Sequence, residues 1–362
     1  MFISINLPGS ALDETINNKT QDMISTKDTD IIKLNDPFFI KNALVQSRGR
    51  RTGNADNPGT ANPNVTLLHC SDYHENNTNM NRLMKFYDHY KTYIDDIIHT
   101  GDFIKSYYNQ RGDNVWNFNG KEKILNCIGN HDSTTKEGSN PVQNTVTSEQ
   151  LYTEYFAPYI NGWGVTYTPN VCYYYKDYVD SNLRLIVLDD MHWDSTQEDW
   201  LENLLDDAKT NNLHVVCAKH YANGSVSQKV EGCTFSDAEF NAGPYTAGGT
   251  NHGADIVNDF ITGGGKFVCW LVGHYHGVDF GYVAGYENQL YVVAPSVSNS
   301  RSPSSIERIE NTKSQDAFYL VTIDTDKSWL KIIMVGADID RAMRSRKMMC
   351  YDYENHKLIS CV

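Results

Sequence analysis

The sequence lacks the features that would attach it to a membrane or to nucleic acid. Its 362 residues contain no run of 18 apolar residues, so no segment is long enough to cross a bilayer as a helix. Basic residues are also scarce, because 31 Lys and Arg face 45 Asp and Glu and the formal net charge is −14. An acidic surface repels a phosphate backbone, which disfavours nucleic acid as a partner. The sequence therefore predicts no membrane span and disfavours a nucleic-acid partner.

Signals for export and for structural zinc are also missing. The first 14 residues, MFISINLPGSALDE, lack both the basic segment and the longer apolar run of a secretory signal peptide. The eight cysteines form no C-x-x-C pair, and four lie in or beside apolar, strand-like runs, where a free thiol behaves as a small hydrophobe. This usage fits a reducing compartment. We expect a cytoplasmic protein, with a virion or cell-surface assembly as the alternative.

The chain divides into three parts. Residues 1–63 are polar and predict an extension or linker, through which the protein could attach to a partner. In residues 64–336, apolar strand-like runs alternate with helical patterns and are followed by strands alone. Residues 337–362 are a C-terminal tail that could form a hairpin. Alternating strands and helices followed by antiparallel strands predict an α/β sandwich with mixed sheets.

Residues that can bind metals follow five of the predicted strands. In open α/β sheets, ligands gather at the carboxyl ends of the strands, so we expect these residues to converge. Each block alone has an ordinary structural explanation, since Asp and Asn bond their own backbone at turns and a single His often lies in a core. Their repetition favours a metal centre. The blocks are SDYH with Asp72 and His74, GD with Asp102, GNHD with Asn130, His131 and Asp132, the single His220, and GHYH with His274 and His276.

The order D-x-H, G-D, G-N-H-D, single His and G-H-x-H resembles the calcineurin-like metallophosphoesterase superfamily over about residues 64 to 336. SDYH is most similar to the cyclic-nucleotide phosphodiesterase-like and sphingomyelinase-like branches. The resemblance implies a four-layer α/β/β/α sandwich with two mixed sheets, the metallo-dependent phosphatase fold. Two departures concern the substrate pocket: Tyr221 follows the single His where His-Pro is often found, and residues 223–249 look like an insertion.

The resemblance also implies how two divalent ions are held. Mixed nitrogen and oxygen ligands suit Mn, Fe, Zn, Co or Ni. Two such ions can clamp a phosphoryl oxygen and lower the pKa of a bridging water. His131 is a candidate for protonating the leaving group, with Asp132 orienting its ring. The first ion would be held by Asp72, His74, Asp102 and His276, and the second by Asp102, Asn130, His220 and His274, with Asp102 as the bridge.

These features predict an enzyme that hydrolyses a small-molecule phosphate ester. Our main hypothesis is a phosphodiesterase that acts through a metal-bridging hydroxide. The alternatives are a phosphomonoesterase, a nuclease of the same superfamily, or a structural virion or surface component attached through residues 1–62. Residues 189–194, DDMHWD, follow a strand and either line the rim of the pocket or form an ordinary loop. We interpret five other histidines as structural or solvent-facing: His69, His99, His192, His214 and His252.

Overall fold

The structure, a computed structural model, describes most of the chain from residue 64 onward. The described ranges are 64–113, 115–233, 252–277, 279–298, 317–336 and 348–361. The predicted extension at residues 1–63 lies outside the described residues, and so does the larger part of the predicted insertion at 223–249.

Two mixed β-sheets, a separate two-stranded sheet and the helices that cover the mixed sheets form the described part of the chain. The strands are β1 (Asn64–Cys70), β2 (Asp96–His99), β3 (Ile124–Asn126), β4 (Thr135–Glu137), β5 (Asn140–Val142), β6 (Thr166–Tyr167), β7 (Tyr174–Tyr178), β8 (Leu183–Val187), β9 (His214–Ala218), β10 (Val226–Lys229), β11 (Lys266–Val272), β12 (Asp279–Val283), β13 (Tyr286–Val293), β14 (Ala317–Asp324), β15 (Trp329–Gly336), β16 (Met348–Asp352) and β17 (Lys357–Cys361). The α-helices are α1 (Asn77–Tyr90), α2 (Asn130–Ser133), α3 (Ser148–Leu151), which a π turn at Tyr152–Phe156 continues, α4 (Ser195–Thr210) and α5 (Ala254–Thr262).

The strand order places the predicted site strands side by side. One sheet has the order β17-β16-β15-β14-β1-β2-β3, and the other has the order β10-β12-β13-β11-β9-β8-β7-β6. In the first sheet β2 runs parallel to both β1 and β3, and β1 runs antiparallel to β14. In the second sheet β11 runs parallel to both β9 and β13. The carboxyl ends of β1, β2 and β3 therefore share one edge, as do those of β9 and β11.

Alternating side chains give the second sheet two apolar faces. On β9, Val216 and Ala218 belong to the core that both sheets share, whereas Val215 and Cys217 belong to a separate cluster with residues of α4 and α5. Successive side chains of a strand point to opposite faces, so an unbroken apolar run is expected where both faces are covered. On the other sheet, Phe86 of α1 packs against Phe318 of β14 with ring centroids 4.9 Å apart. The prediction of an α/β fold with two mixed sheets and outer helices is confirmed.

The chain continues its first sheet beyond the predicted boundary at residue 336. β16 pairs antiparallel with β15, and β17 pairs antiparallel with β16, so the tail contributes a hairpin to the sheet edge. Within the described ranges, no helix combines the length and apolar character needed to cross a bilayer.

Candidate metal centre

The loops that follow strands of both sheets meet at one place. The Asp72 N–H donates to the Gly101 carbonyl at 3.0 Å, which joins the loops after β1 and β2. The Gly273 N–H donates to the His220 carbonyl at 2.9 Å, which joins the loops after β11 and β9. Ser71 and Ser296 form an isolated β-bridge between the two sheets. The predicted blocks are therefore brought together by backbone pairing at the strand ends.

Two glycines allow these loops to approach closely. A Cβ on Gly129 would lie 2.2 Å from Oδ1 of Asp102, and one on Gly273 would lie 1.8 Å from Oγ of Ser71. Neither distance can accommodate a side chain without moving the neighbouring loop. The glycines in GNHD and GHYH are therefore required by the packing around the ligands.

Left-handed backbone is concentrated at the predicted ligands. A non-glycine residue with positive φ costs of order 1–3 kcal/mol and persists where the surrounding structure fixes it, often at functional sites. The ligand residues with φ between 46° and 68° are Asp72, His74, Asp102, His274 and His276.

Four side chains, which we call the first metal group, converge on one point. Asp72, His74, Asp102 and His276 each contribute one ligand atom, and these atoms lie within 4.8 Å of one another. Nε2 of His276 is 3.2 Å from Oδ1 of Asp72 and 3.1 Å from Nε2 of His74. The structure thus brings together the residues expected to hold the first ion.

The second metal group shares Asp102 with the first. The ligand atoms of Asp102, His220 and His274 also lie within 4.8 Å of one another. Nε2 of His220 is 3.4 Å from Oδ2 of Asp102, 3.2 Å from Nδ1 of His274 and 3.0 Å from Oδ1 of Asn130. Asp102 is therefore placed to contact both ions, because its carboxylate has two oxygens.

The donor atoms fit divalent cations. Nδ1 of His74 lies 2.9 Å from the Ile104 carbonyl and Nδ1 of His220 lies 2.6 Å from the Thr100 carbonyl, so each Nδ1 carries a proton and each Nε2 faces the cluster, where it offers a lone pair once it is deprotonated. Among the described residues, the buried oxygens Oδ1 of Asp72 and Oδ2 of Asp102 accept no hydrogen bond. A cation would satisfy both the oxygens and the facing imidazole nitrogens.

The charges of the cluster oppose the effects of burial. Burial lowers the pKa of His220, but the charge and hydrogen bond of Asp102, together with the charges of Asp72 and Asp190, outweigh it and raise that pKa to about 10. Burial raises the pKa of Asp102, yet the charges of His220 and His131 hold it well below its usual range. Since a metal ligand must be deprotonated, binding of a cation at the second metal group would displace the proton of His220.

The sequence profile of the calcineurin-like phosphoesterase family matches residues 65–278. The chain belongs to this family. The match covers more than half of the chain and includes all five blocks. Membership in the calcineurin-like phosphoesterases, together with the two metal groups, identifies the protein as a metal-dependent phosphoester hydrolase, and the shared Asp102 suggests that it uses two metal ions.

Several solved structures are similar to this calcineurin-like phosphoesterase at low sequence identity. A dimetal phosphatase from Danio rerio is 12% identical, with a TM-score of 0.45, and the match covers 76% of this chain and 96% of that one. A predicted phosphoesterase from Streptococcus pneumoniae TIGR4 is 15% identical, with a TM-score of 0.29 and coverage of 79% and 98%. GAP50, the anchor in the inner membrane complex of Plasmodium, is 11% identical, with a TM-score of 0.40 and coverage of 78% and 88%. No curated protein matches the chain.

His131 lies beside the first metal group. Its ring centroid is 4.9 Å from that of His74, and its Nε2 is 3.9 Å from Oδ2 of Asp102. Nδ1 of His131 lies 2.7 Å from the Ser106 carbonyl, which fixes the ring. A third of the side chain is exposed, so the imidazole can reach a bound molecule.

Asp132 has a different role from the one predicted. Its two oxygens accept hydrogen bonds from the backbone N–H groups of Gly129, Asp102, Phe103 and Ile104 at 2.8 to 3.0 Å. The expectation that Asp132 orients the His131 ring is therefore corrected, since the Ser106 carbonyl does so. Asp132 instead ties the loop after β2 to the loop after β3, a role that sequence reasoning missed.

A cleft of about 250 Å³ opens beside the second metal group. Its lining includes Asn130, Asp190, Trp193, Tyr221 and His252. Of residues 189–194, for which the rim of the pocket and an ordinary loop were the alternatives, Asp190, Met191 and Trp193 line the cleft. The interpretation of His252 as merely structural or solvent-facing is corrected, because its ring lines the cleft.

Proposed function

We propose that the protein is a phosphodiesterase that acts on a small-molecule phosphate ester with two divalent cations bound. The observation that supports a diester is that two different places adjoin the metal groups, the partly exposed ring of His131 beside the first group and the cleft beside the second. A phosphomonoester carries only one organic group and would leave one of these places without a use.

The two places lie next to different metal groups. On one side, His131 approaches His74 of the first metal group. On the other side, Tyr221 lines the cleft, and its ring centroid lies 4.4 Å from that of His274 in the second metal group. A phosphorus atom positioned between the two groups would direct one substituent toward His131 and the other into the cleft.

The side chains have complementary tasks. When bound, the cations supply Lewis-acid stabilisation of the phosphoryl oxygens and activation of the attacking water. Asp102 keeps the two ligand groups in a fixed relation because it belongs to both. Since Nδ1 of His131 donates to the Ser106 carbonyl, Nε2 is the ring nitrogen that would carry the proton for the leaving group. That proton would pass to the departing oxygen.

A small substrate fits the charge of the chain better than a polymer does. The net charge of −14 disfavours a polyanion, whereas two dications offset the two aspartates of the metal groups and create a local positive region. We therefore propose a small phosphodiester as the partner and not DNA or RNA.

The test compares bis(4-nitrophenyl) phosphate with 4-nitrophenyl phosphate, using protein reconstituted with Mn²⁺ and protein treated with a chelator. We expect kcat/KM to be higher for the diester, and we expect activity on both compounds to depend on the metal. Duplex DNA in the same assay controls for nuclease activity. Faster hydrolysis of the monoester would overturn the phosphodiesterase proposal, and cleavage of the DNA would favour the nuclease alternative.

A further inference from the structure

Asp190 places a buried acceptor in the wall of the cleft. The side chain follows β8 and is only 4% exposed. Its Oδ2 accepts the Tyr221 N–H at 2.8 Å, whereas its Oδ1 is buried and accepts no hydrogen bond from the described residues. Buried polar atoms are nearly always satisfied, so an orphaned carboxylate oxygen in a cleft points to a donor on a bound molecule.

The loop that carries Asp190 is held in place. The preceding residue, Asp189, exchanges two backbone hydrogen bonds with the Gln197 side chain, at 2.8 and 2.9 Å. The Asp189 carboxylate also accepts from Ser148 Oγ at 2.9 Å and contacts Nδ1 of His192 at the same distance. The acceptor is therefore preorganised, because these contacts fix the backbone of the loop and the Tyr221 N–H holds the Asp190 carboxylate.

Aromatic rings form the other walls. Trp193 stacks on His252 with ring centroids 5.2 Å apart and an angle of 7° between the planes, and its Nε1 donates to Glu198 at 2.7 Å. Tyr221 lines the same cleft. Aromatic walls favour a flat group, and a volume of about 250 Å³ is below the ~300–1,000 Å³ of sites for drug-sized ligands. The space suits a single ring.

The cleft does not suit further charges on that ring. Burial, assisted by the charge of Lys219, lowers the pKa of His252 to about 4, so this imidazole is neutral at pH 7. Gln143 and Asn144 contribute amides, and no Lys or Arg is among the described residues that line the cleft. A second phosphate would meet the Asp190 carboxylate, because the cation that acts on it, Lys219, is buried behind the wall and bonded to Asn223 and the His252 carbonyl. A cationic ring would approach the dications near Asn130.

We infer that the cleft selects phosphodiesters whose retained group is an uncharged, ring-sized group that donates a hydrogen bond to Oδ1 of Asp190. The retained group is the one that stays on phosphorus, since His131 adjoins the first metal group, where it would protonate the leaving group, and the cleft adjoins the second. The inference rests on the proposed phosphodiesterase function and makes Asp190 the residue that determines specificity.

The test uses 4-nitrophenyl diesters with three retained groups: benzyl, 3-(hydroxymethyl)benzyl and 3-(methoxymethyl)benzyl. The last two differ in a single hydrogen-bond donor. With the full-length, Mn²⁺-loaded protein we expect kcat/KM to favour the hydroxymethyl over the methoxymethyl compound by about tenfold or more, mainly through KM, as for a hydrogen bond to a charged acceptor. The corresponding benzyl monophosphates, used as competitive inhibitors, should show the same preference in binding.

Asp190→Asn separates recognition from structural support. The amide oxygen can still accept the Tyr221 N–H, while the amide NH₂ replaces the orphaned acceptor with a donor. We expect the hydroxymethyl preference to disappear or to reverse. Asp326→Asn makes the same charge change in the exposed turn between β14 and β15, which lies near the start of β1 and away from its carboxyl end, and should keep the wild-type preference.

Two results would overturn the inference: wild-type protein that does not distinguish the two compounds, or Asp190→Asn that loses activity on all three diesters by one common factor. The second result would mean that Asp190 only supports Tyr221. Failure of the proposed function is distinct, because the benzyl diester would then remain intact while 4-nitrophenyl phosphate is hydrolysed. In that case the inhibition constants of the benzyl monophosphates still decide whether Asp190 recognises a donor.

Discussion

Asp102→Asn should weaken both metal sites at once. The carboxylate is 1% exposed and belongs to both metal groups, and its Oδ2 lies 3.4 Å from Nε2 of His220 and 3.9 Å from Nε2 of His74. Asparagine has nearly the same shape and can keep the acceptor for the His131 N–H, which Oδ1 accepts at 2.9 Å. The substitution therefore removes the negative charge and one ligand oxygen with little change in packing.

The size of the effect follows from the position of the shared oxygen. Changing a residue that merely supports a ligand typically costs 10–100-fold in metal affinity. Asp102 is placed as a ligand to two ions, so we expect a loss of at least about 100-fold in affinity for each, and a fall in kcat/KM of about 10³-fold or more. Asp72→Asn is the matched comparison, because Asp72 belongs to the first metal group alone.

Competition with a chromogenic chelator measures both affinities, and 4-nitrophenyl diester hydrolysis measures turnover at saturating Mn²⁺. Thermal unfolding of the metal-free proteins controls for damage to the fold. The reasoning would be refuted if Asp102→Asn bound two ions with wild-type affinity and retained near-wild-type turnover. It would also be refuted if Asp72→Asn weakened both ions to the same extent as Asp102→Asn.

Two further substitutions test the roles of individual side chains. His131→Asn should retain both metals and lose about 10²–10⁴-fold in rate on a diester with an alkoxide leaving group, but much less on a nitrophenyl ester, whose leaving group needs no proton; equal losses in the two assays would argue for phosphate binding or transition-state stabilisation instead. Gly129→Ala should displace the Asp102 carboxylate, since the new Cβ would lie 2.2 Å from Oδ1, and so reduce metal content and activity together. Gly162→Ala is the control, because a Cβ there meets nothing within 4 Å, and loss of metal in both variants would contradict this explanation.

The ligands could be predicted from sequence because their signal is local. Each apolar run fixes the position of a strand end, and a polar residue directly after it must lie near that end, so Asp72, Asp102 and His274 required no knowledge of loop conformation. The order of the two sheets then decides which of these ends meet. The glycines before Asp102, Asn130 and His274 belong to the same local signal, since the close approach of the loops excludes a side chain.

The surroundings of the site could not be predicted in the same way. From the sequence, the Asp132 carboxylate is expected to orient the ring of its neighbour His131. In the structure the tight turn directs this carboxylate to the backbone N–H groups of the loop after β2. The contribution of His252 to the cleft depends on stacking against Trp193, which is 59 residues away in the chain. The hairpin of β16 and β17 was predicted only as an option, because its pairing with β15 joins segments whose register no local pattern specifies.

The metal content of the purified protein tests the central claim most directly. After reconstitution with Mn²⁺ and removal of unbound metal, elemental analysis should give about two ions per chain, one for each metal group. The same analysis on Asp102→Asn should give markedly less than the wild-type value. A wild-type protein that retains no stoichiometric transition metal after reconstitution with Mn²⁺, Fe²⁺, Zn²⁺, Co²⁺ or Ni²⁺ would contradict the account.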